Sequence, residues 1–223
     1  MKPFIIKHGE LQLQASLAVP MYAFLDGPAS MIHSALFERF ASLGASLNDI
    51  KISSGIPNLN ELGLTYHLLA FNALVKLSLD KVEINFLDTT LVTRDRVEDV
   101  YRKTFGAIGV ISTNYKIKEF SLTRTLHGII EEESVSEFMQ SFIRTIPKGL
   151  GPIAGQGAVF YYSGEGQTKA SSTVVDVSAR IENGLFVRLS VTFDGQQISV
   201  DALPEIAQQA FDHQTESLGL TLK

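Results

Sequence analysis

Leu74-Val75-Lys76-Leu77-Ser78-Leu79 and Phe186-Val187-Arg188-Leu189-Ser190-Val191 carry the same alternation of apolar and polar side chains. Period two marks a strand with one buried face. Around both stretches the chain repeats one order of elements. Residues 10–109 and 118–219 each read as strand, helix, three strands, helix. Both copies run into a closing helix that ends on a glycine between apolar residues, Ile108-Gly109-Val110 and Leu218-Gly219-Leu220. A period of about 110 residues is too long for a solenoid repeat. The expected fold is therefore α+β, a tandem pseudo-twofold repeat of a β-α-β-β-β-α unit. Its antiparallel sheets carry helices on one face, with residues 1–112 and 113–223 as the two copies of one compact body.

In the first copy, Leu11, Leu13, Ala15, Leu17 and Val19 alternate as a half-buried strand. Asp26-Gly27-Pro28 reads as a turn before a helix bearing Ile32, Ala35, Leu36, Phe40 and Leu43 on one face, with Gly44 as its stop. Strands follow near 48–56, 62–71 and 74–87, the last broken by a bulge or tight turn at Asp80-Lys81. The closing helix, about 93–108, takes Thr93 as N-cap and buries Val97, Val100, Tyr101, Phe105 and Ile108.

In the second copy, a strand near 118–130 leads to a helix whose Ser134 and Glu137 form a capping box. Val135, Phe138, Met139, Phe142, Ile143 and Ile146 form its apolar stripe. Strands at about 157–163, 172–181 and 185–194 precede a helix that buries Leu203, Ile206, Ala207, Ala210, Phe211 and Leu218. A three-residue loop, Glu182-Asn183-Gly184 with Gly184 left-handed, pairs Ile181 with Leu185 and Val175 with Val191. This leaves Asp176, Ser178, Arg180, Phe186, Arg188, Ser190 and Thr192 on the outer face. An Asn72-Ala73 turn in the first copy similarly places Thr65, His67, Leu69, Phe71, Leu74, Lys76 and Ser78 outside.

The 223 residues are 45% hydrophobic and 19% charged, with a net charge of −5 and no cysteine. Mean hydropathy is +0.14. The missing cysteines exclude disulfides, thiolate nucleophiles and cysteine-ligated metals. Nucleic-acid binding needs a basic footprint. Here Arg94, Arg96, Arg102 and Lys103 interleave with Asp95, Glu98 and Asp99 as a solvated helix face. No apolar run is long enough for a membrane span, and the N-terminus shows no signal-peptide core, so the expected location is cytoplasmic.

No catalytic motif is present. Pro147-Lys148-Gly149-Leu150-Gly151-Pro152-Ile153-Ala154-Gly155-Gln156-Gly157 follows a helix and precedes a strand, the reverse of a phosphate loop. His8, His33, His67, His127 and His213 stand alone in sequence, without metal-ligand spacing. No metal or cofactor is expected. In layout alone the tandem plan is similar to TATA-binding-protein-like and helix-grip folds, but the nucleic-acid reader of that layout is basic and this chain is acidic.

The functional expectation is a non-enzymatic protein-binding or assembly module. Its partner is a second copy or another protein, with neither nucleic acid nor membrane involved. The binding residues lie on the outer sheet face: Leu69, Phe71, Leu74, Arg180, Phe186 and Arg188. The alternative is an apolar small molecule held between helices and sheet or where the copies meet. A third reading is an enzyme joining Asp176, Arg180 and Arg188 to a histidine across the junction.

Overall fold

The computed structural model describes residues 1–21, 29–53, 63–112, 115–131, 133–142 and 156–223. Among these, the strands are β1 (Lys2–Leu17), β2 (Ile50–Ser53), β3 (Gly63–Leu68), β4 (Ala73–Ser78), β5 (Lys81–Phe86), β6 (Ile117–Ile130), β7 (Ala158–Ser163), β8 (Thr168–Val177), β9 (Leu185–Asp194) and β10 (Leu220–Leu222). The α-helices are α1 (Ala29–Phe40), α2 (Arg94–Ile111), α3 (Val135–Gln140) and α4 (Leu203–Ser217). The turn expected at Asp26-Gly27-Pro28 and the glycine-rich stretch up to Gly155 lie outside the described residues, as do Ile143 and Ile146.

All the strands belong to one sheet, in the order β2-β3-β4-β5-β1-β6-β9-β8-β7. Neighbours along this path are antiparallel, and β10 adds parallel to β1, setting Lys2 opposite Leu220. The long pairing of β1 with β6, from Phe4 opposite Ile130 to Leu17 opposite Ile117, joins the halves into one sheet. Alternation explains which face is buried. Leu13, Ala15 and Leu17 of β1, Val82, Ile84 and Phe86 of β5, Phe120, Leu122 and Leu126 of β6, and Val187, Leu189 and Val191 of β9 all belong to one core. The helices pack on that same face. Phe105 of α2 meets Phe120 edge-on with centroids 6.1 Å apart, and Phe40 of α1 meets Tyr66 of β3 at 5.1 Å.

Helix boundaries follow local chemistry. Glu137 N–H donates to Ser134 Oγ at 3.2 Å while the Glu137 carboxylate accepts from the Ser134 N–H at 3.0 Å, the expected capping box. Thr93 is the N-cap of α2, although its side chain makes no capping bond. Gly44 and Gly219 take φ of +82° and +75°, which end their helical segments. Gly109 does not end a helix: α2 runs through it to Ile111.

Several expectations about the strands are corrected. The segment expected at 74–87 is two strands folded back on each other, Leu77 opposite Val82, so the first half has one strand more than the β-α-β-β-β-α plan. The quoted stretches are β4 and β9. β9 pairs with β6, whereas β5 separates β4 from β1, so their likeness reflects a shared buried face and not equivalent sheet positions. Both hairpin registers differ from expectation by four residues. His67 faces Leu74, and Val175 faces Val187, not Val191. An even shift keeps every side chain on its face, which is why alternation alone did not distinguish the registers. The loop before β9 runs from Ser178 to Gly184, and its left-handed residue is Asn183, with φ +53°. Gly184 serves by closeness instead: a Cβ there would lie 2.7 Å from Ile181 Cβ.

Candidate functional site

β6 carries an anomaly on its buried face. Along Phe120, Leu122, Arg124, Leu126, every second side chain points to the helices, and one of them is arginine. Its guanidinium is drawn into the core region, and Nη1 is buried without a hydrogen-bond partner among the described residues. No carboxylate forms an ion pair with it there. Burial pushes its pKa down, and the charge of Asp212 on α4 only partly offsets this. A buried cation ordinarily finds a counter-charge, because desolvating an unpaired charge is expensive.

Arg124 lies at the base of a cleft of about 200 Å³ between the N-terminal halves of α2 and α4, above β1 and β6. Leu11, Leu122, Val97, Tyr101, Ala207 and Phe211 supply an apolar part of its wall, and Thr89, Glu98 and Gln208 a polar one. Tyr101 is only 3% exposed, and its hydroxyl also lacks a partner among the described residues. Burial raises the pKa of this phenol strongly, so it keeps its proton and can donate. At the mouth, Arg94 of α2 donates to Glu98 at 2.8 Å and to Glu205 of α4 at 2.6 Å. That ion pair ties the two helices together across the opening. All three groups are exposed or partly exposed, so it contributes little to stability. Its importance is positional.

Arg124 and Tyr101 were not among the site residues expected from sequence. The signal for Arg124 was nevertheless present, as a charge in the apolar phase of a strand. Tyr101 belongs to the apolar stripe of its helix and is core; only the missing hydroxyl partner marks it out.

The outer-face residues fall into two groups. Leu74 is on β4, and Leu69 and Phe71 lie in the turn preceding it; Phe186 and Arg188 are on β9. β5, β1 and β6 intervene, which separates the groups by about 19 Å at the usual strand spacing. Phe71 is 58% exposed and leans on His67, with centroids 5.1 Å apart. Phe186 packs on His127 at 5.1 Å. The sheet between carries polar side chains, neutral ones such as Gln12 and Thr123 and the carboxylates of Glu10 and Glu83, and the Thr123 and Ser190 hydroxyls lie 3.1 Å apart.

Arg180 does reach across to the first half. It donates through Nη1 to His8 Nε2 and pairs through Nη2 with Glu10 at 2.7 Å. The other ring nitrogen of His8 lies 3.3 Å from Asp88 Oδ2. Hydrogen bonds from the Thr90 hydroxyl and N–H and from His8 outweigh burial and hold the Asp88 carboxyl below its ordinary pKa. Asp176 and Arg188 do not join this cluster; Asp176 accepts from the Val177 N–H at 2.7 Å. His8 and His127, isolated in sequence, lie with centroids 6.0 Å apart. Among the described residues, no group of three or more histidines and carboxylates is arranged to hold a metal ion, and no helix is long and apolar enough to cross a membrane.

The chain matches no protein-family model and no curated protein.

Proposed function

We propose that this is a small-molecule-binding protein whose ligand occupies the cleft between α2 and α4. The observation that carries the reading is one cleft lined by apolar side chains and by two buried polar groups without partners among the described residues, Arg124 Nη1 and the Tyr101 hydroxyl. Binding sites commonly combine an apolar wall with a few convergent polar groups. The cleft's position supports the same conclusion. It lies over the β1–β6 seam, with one wall from each half.

The reading includes the tandem arrangement. Outward from the seam, β5 flanks β1 and β9 flanks β6, and the next helix after each flanking strand is α2 or α4. This order supports two related copies meeting at the cleft. A docking role for the outer face has less support, because its apolar residues are divided between β4 and β9.

The test is an NMR titration with small aromatic and aliphatic molecules, on wild type and on Ala207→Phe, which fills the cleft. The expected result is perturbation at Leu11, Tyr101, Leu122 and Ala207 in wild type, lost in the variant. A panel that leaves these positions unmoved overturns the proposal.

A further inference from the structure

We infer that the ligand of this cleft is a small monocarboxylate, its carboxyl group seated on Arg124 and its apolar body between Tyr101, Val97, Ala207 and Phe211. The inference rests on the cleft reading above and adds the chemical class of the occupant.

Three observations converge. Arg124 presents a buried donor with no partner and no ion pair among the described residues. A guanidinium is a fork that matches a carboxylate with two parallel hydrogen bonds, stronger than neutral ones. Leu11, Val97, Leu122, Ala207 and Phe211 give the cleft an apolar side, against which the tail of an anion held by Arg124 would lie out of water. The size is also informative: a cavity near 150 Å³ lined by apolar side chains accommodates benzene. The present cleft, at about 200 Å³, has room for a ring or short chain with one carboxyl group.

Charge selects a single negative group. Arg94 at the mouth is already engaged by Glu98 and Glu205, whereas Arg124 has no ion-pair partner among the described residues and only the partial offset of the Asp212 charge. The mouth holds two carboxylates against one guanidinium. A dianion such as a phosphate ester would meet that excess negative charge, whereas a monoanion balances Arg124. The Tyr101 hydroxyl, also in the wall, supplies a neutral donor. Burial keeps it protonated.

Calorimetric titrations with benzoate, benzyl alcohol and inorganic phosphate test this, each on wild type, Arg124→Met and Ala207→Phe. Wild type is expected to bind benzoate at least tenfold more tightly than benzyl alcohol. Arg124→Met should abolish that preference by weakening benzoate alone, and Ala207→Phe should eliminate both. Arg124→Lys keeps the charge without the fork and should lie between wild type and the methionine variant. Equal binding of benzoate and benzyl alcohol to wild type overturns the carboxylate while leaving the cleft reading intact. Phosphate competing with benzoate at Arg124 overturns the monoanion. Absence of binding by both organic probes, with no NMR perturbation at the cleft, overturns both readings together.

Discussion

Asn72 and Asp88 clasp each other: Asn72 Nδ2 donates to the Asp88 carbonyl and the Asp88 N–H donates to Asn72 Oδ1, both at 2.8 Å. The pair fastens the β3–β4 turn to the end of β5. That turn needs fastening, because Leu69, Ala70 and Phe71 take φ of +53°, +53° and +69°, a region unfavourable for residues with a Cβ. Asn72→Ala removes both bonds and strands a partly buried N–H and carbonyl. The expected loss is about 2 kcal/mol, at about 1 kcal/mol per bond, read as a lower urea midpoint with an unchanged slope. An unchanged midpoint would show that the turn holds itself.

Ala70 provides the converse experiment. Glycine populates left-handed φ freely, so Ala70→Gly relieves steric cost at that position. Against this stands the extra entropy of glycine in the unfolded chain. The steric term is the larger, and a net gain of about 0.5–1 kcal/mol is expected. Thermal denaturation of the purified variant measures it. A lower midpoint would mean that chain entropy dominates.

These turns mark where the sequence became hard to read. Alternation in β4 and β9 places apolar residues on the correct face, and Ser134-x-x-Glu137 announces its helix. Period two, however, has no preference between registers that differ by an even number. Turn chemistry had to choose, and it favoured short loops at Asn72-Ala73 and Glu182-Asn183-Gly184. The chain uses longer ones held by remote partners, Asp88 for the first and His127 for the second. The first nine residues of β1 were missed for another reason. A bulge between Ile6 and His8 resets the alternation there, and pairing with the distant β10 completes this end of the strand. The cleft was hidden because it is built from four elements far apart in sequence.

Buried polar groups without partners make a prediction about the ligand-free protein. The hydroxyls of Tyr66 and Tyr101 are both buried and without a partner among the described residues, and burial raises both pKa values, that of Tyr66 to about 12. Removing an unsatisfied hydroxyl while keeping the ring removes its desolvation cost. Tyr101→Phe and Tyr66→Phe should each leave stability unchanged or raise it by about 1 kcal/mol. Urea unfolding distinguishes this from a loss of similar size, which would mean that a bonded water satisfies the hydroxyl.

Arg124→Met extends the argument to charge. Exchanging a half-buried cation without an ion pair among the described residues for an apolar chain of similar reach should stabilise the ligand-free fold by about 1 kcal/mol, by analogy with buried ionic groups replaced by hydrophobic ones. The thermal midpoint of ligand-free protein should therefore rise. A fall would show that the Asp212 charge compensates the guanidinium in full.

His127 ties stability to pH. The Ser178 hydroxyl accepts from the N–H groups of Arg180 and Ile181, at 3.1 and 3.0 Å, which leaves its own proton to donate to His127 Nδ1 at 2.8 Å. An imidazole that accepts at Nδ1 is neutral there. Burial lowers the pKa of His127 below 6.5; the charges of Arg180 and His8 act in the same direction and that of Glu10 opposes them. Above pH 6.5 the ring is neutral in folded and unfolded chains alike. As pH falls through 6.5 the unfolded chain takes up the proton first, so the unfolded state binds more protons and stability falls with pH. The urea midpoint should therefore be lower at pH 5.5 than at pH 7.5, with a smaller difference in His127→Gln. NMR should place the titration of the His127 ring below 6.5. A midpoint above 6.5 would mean that Glu10 outweighs burial and the groups that act with it, and the slope of stability against pH would reverse.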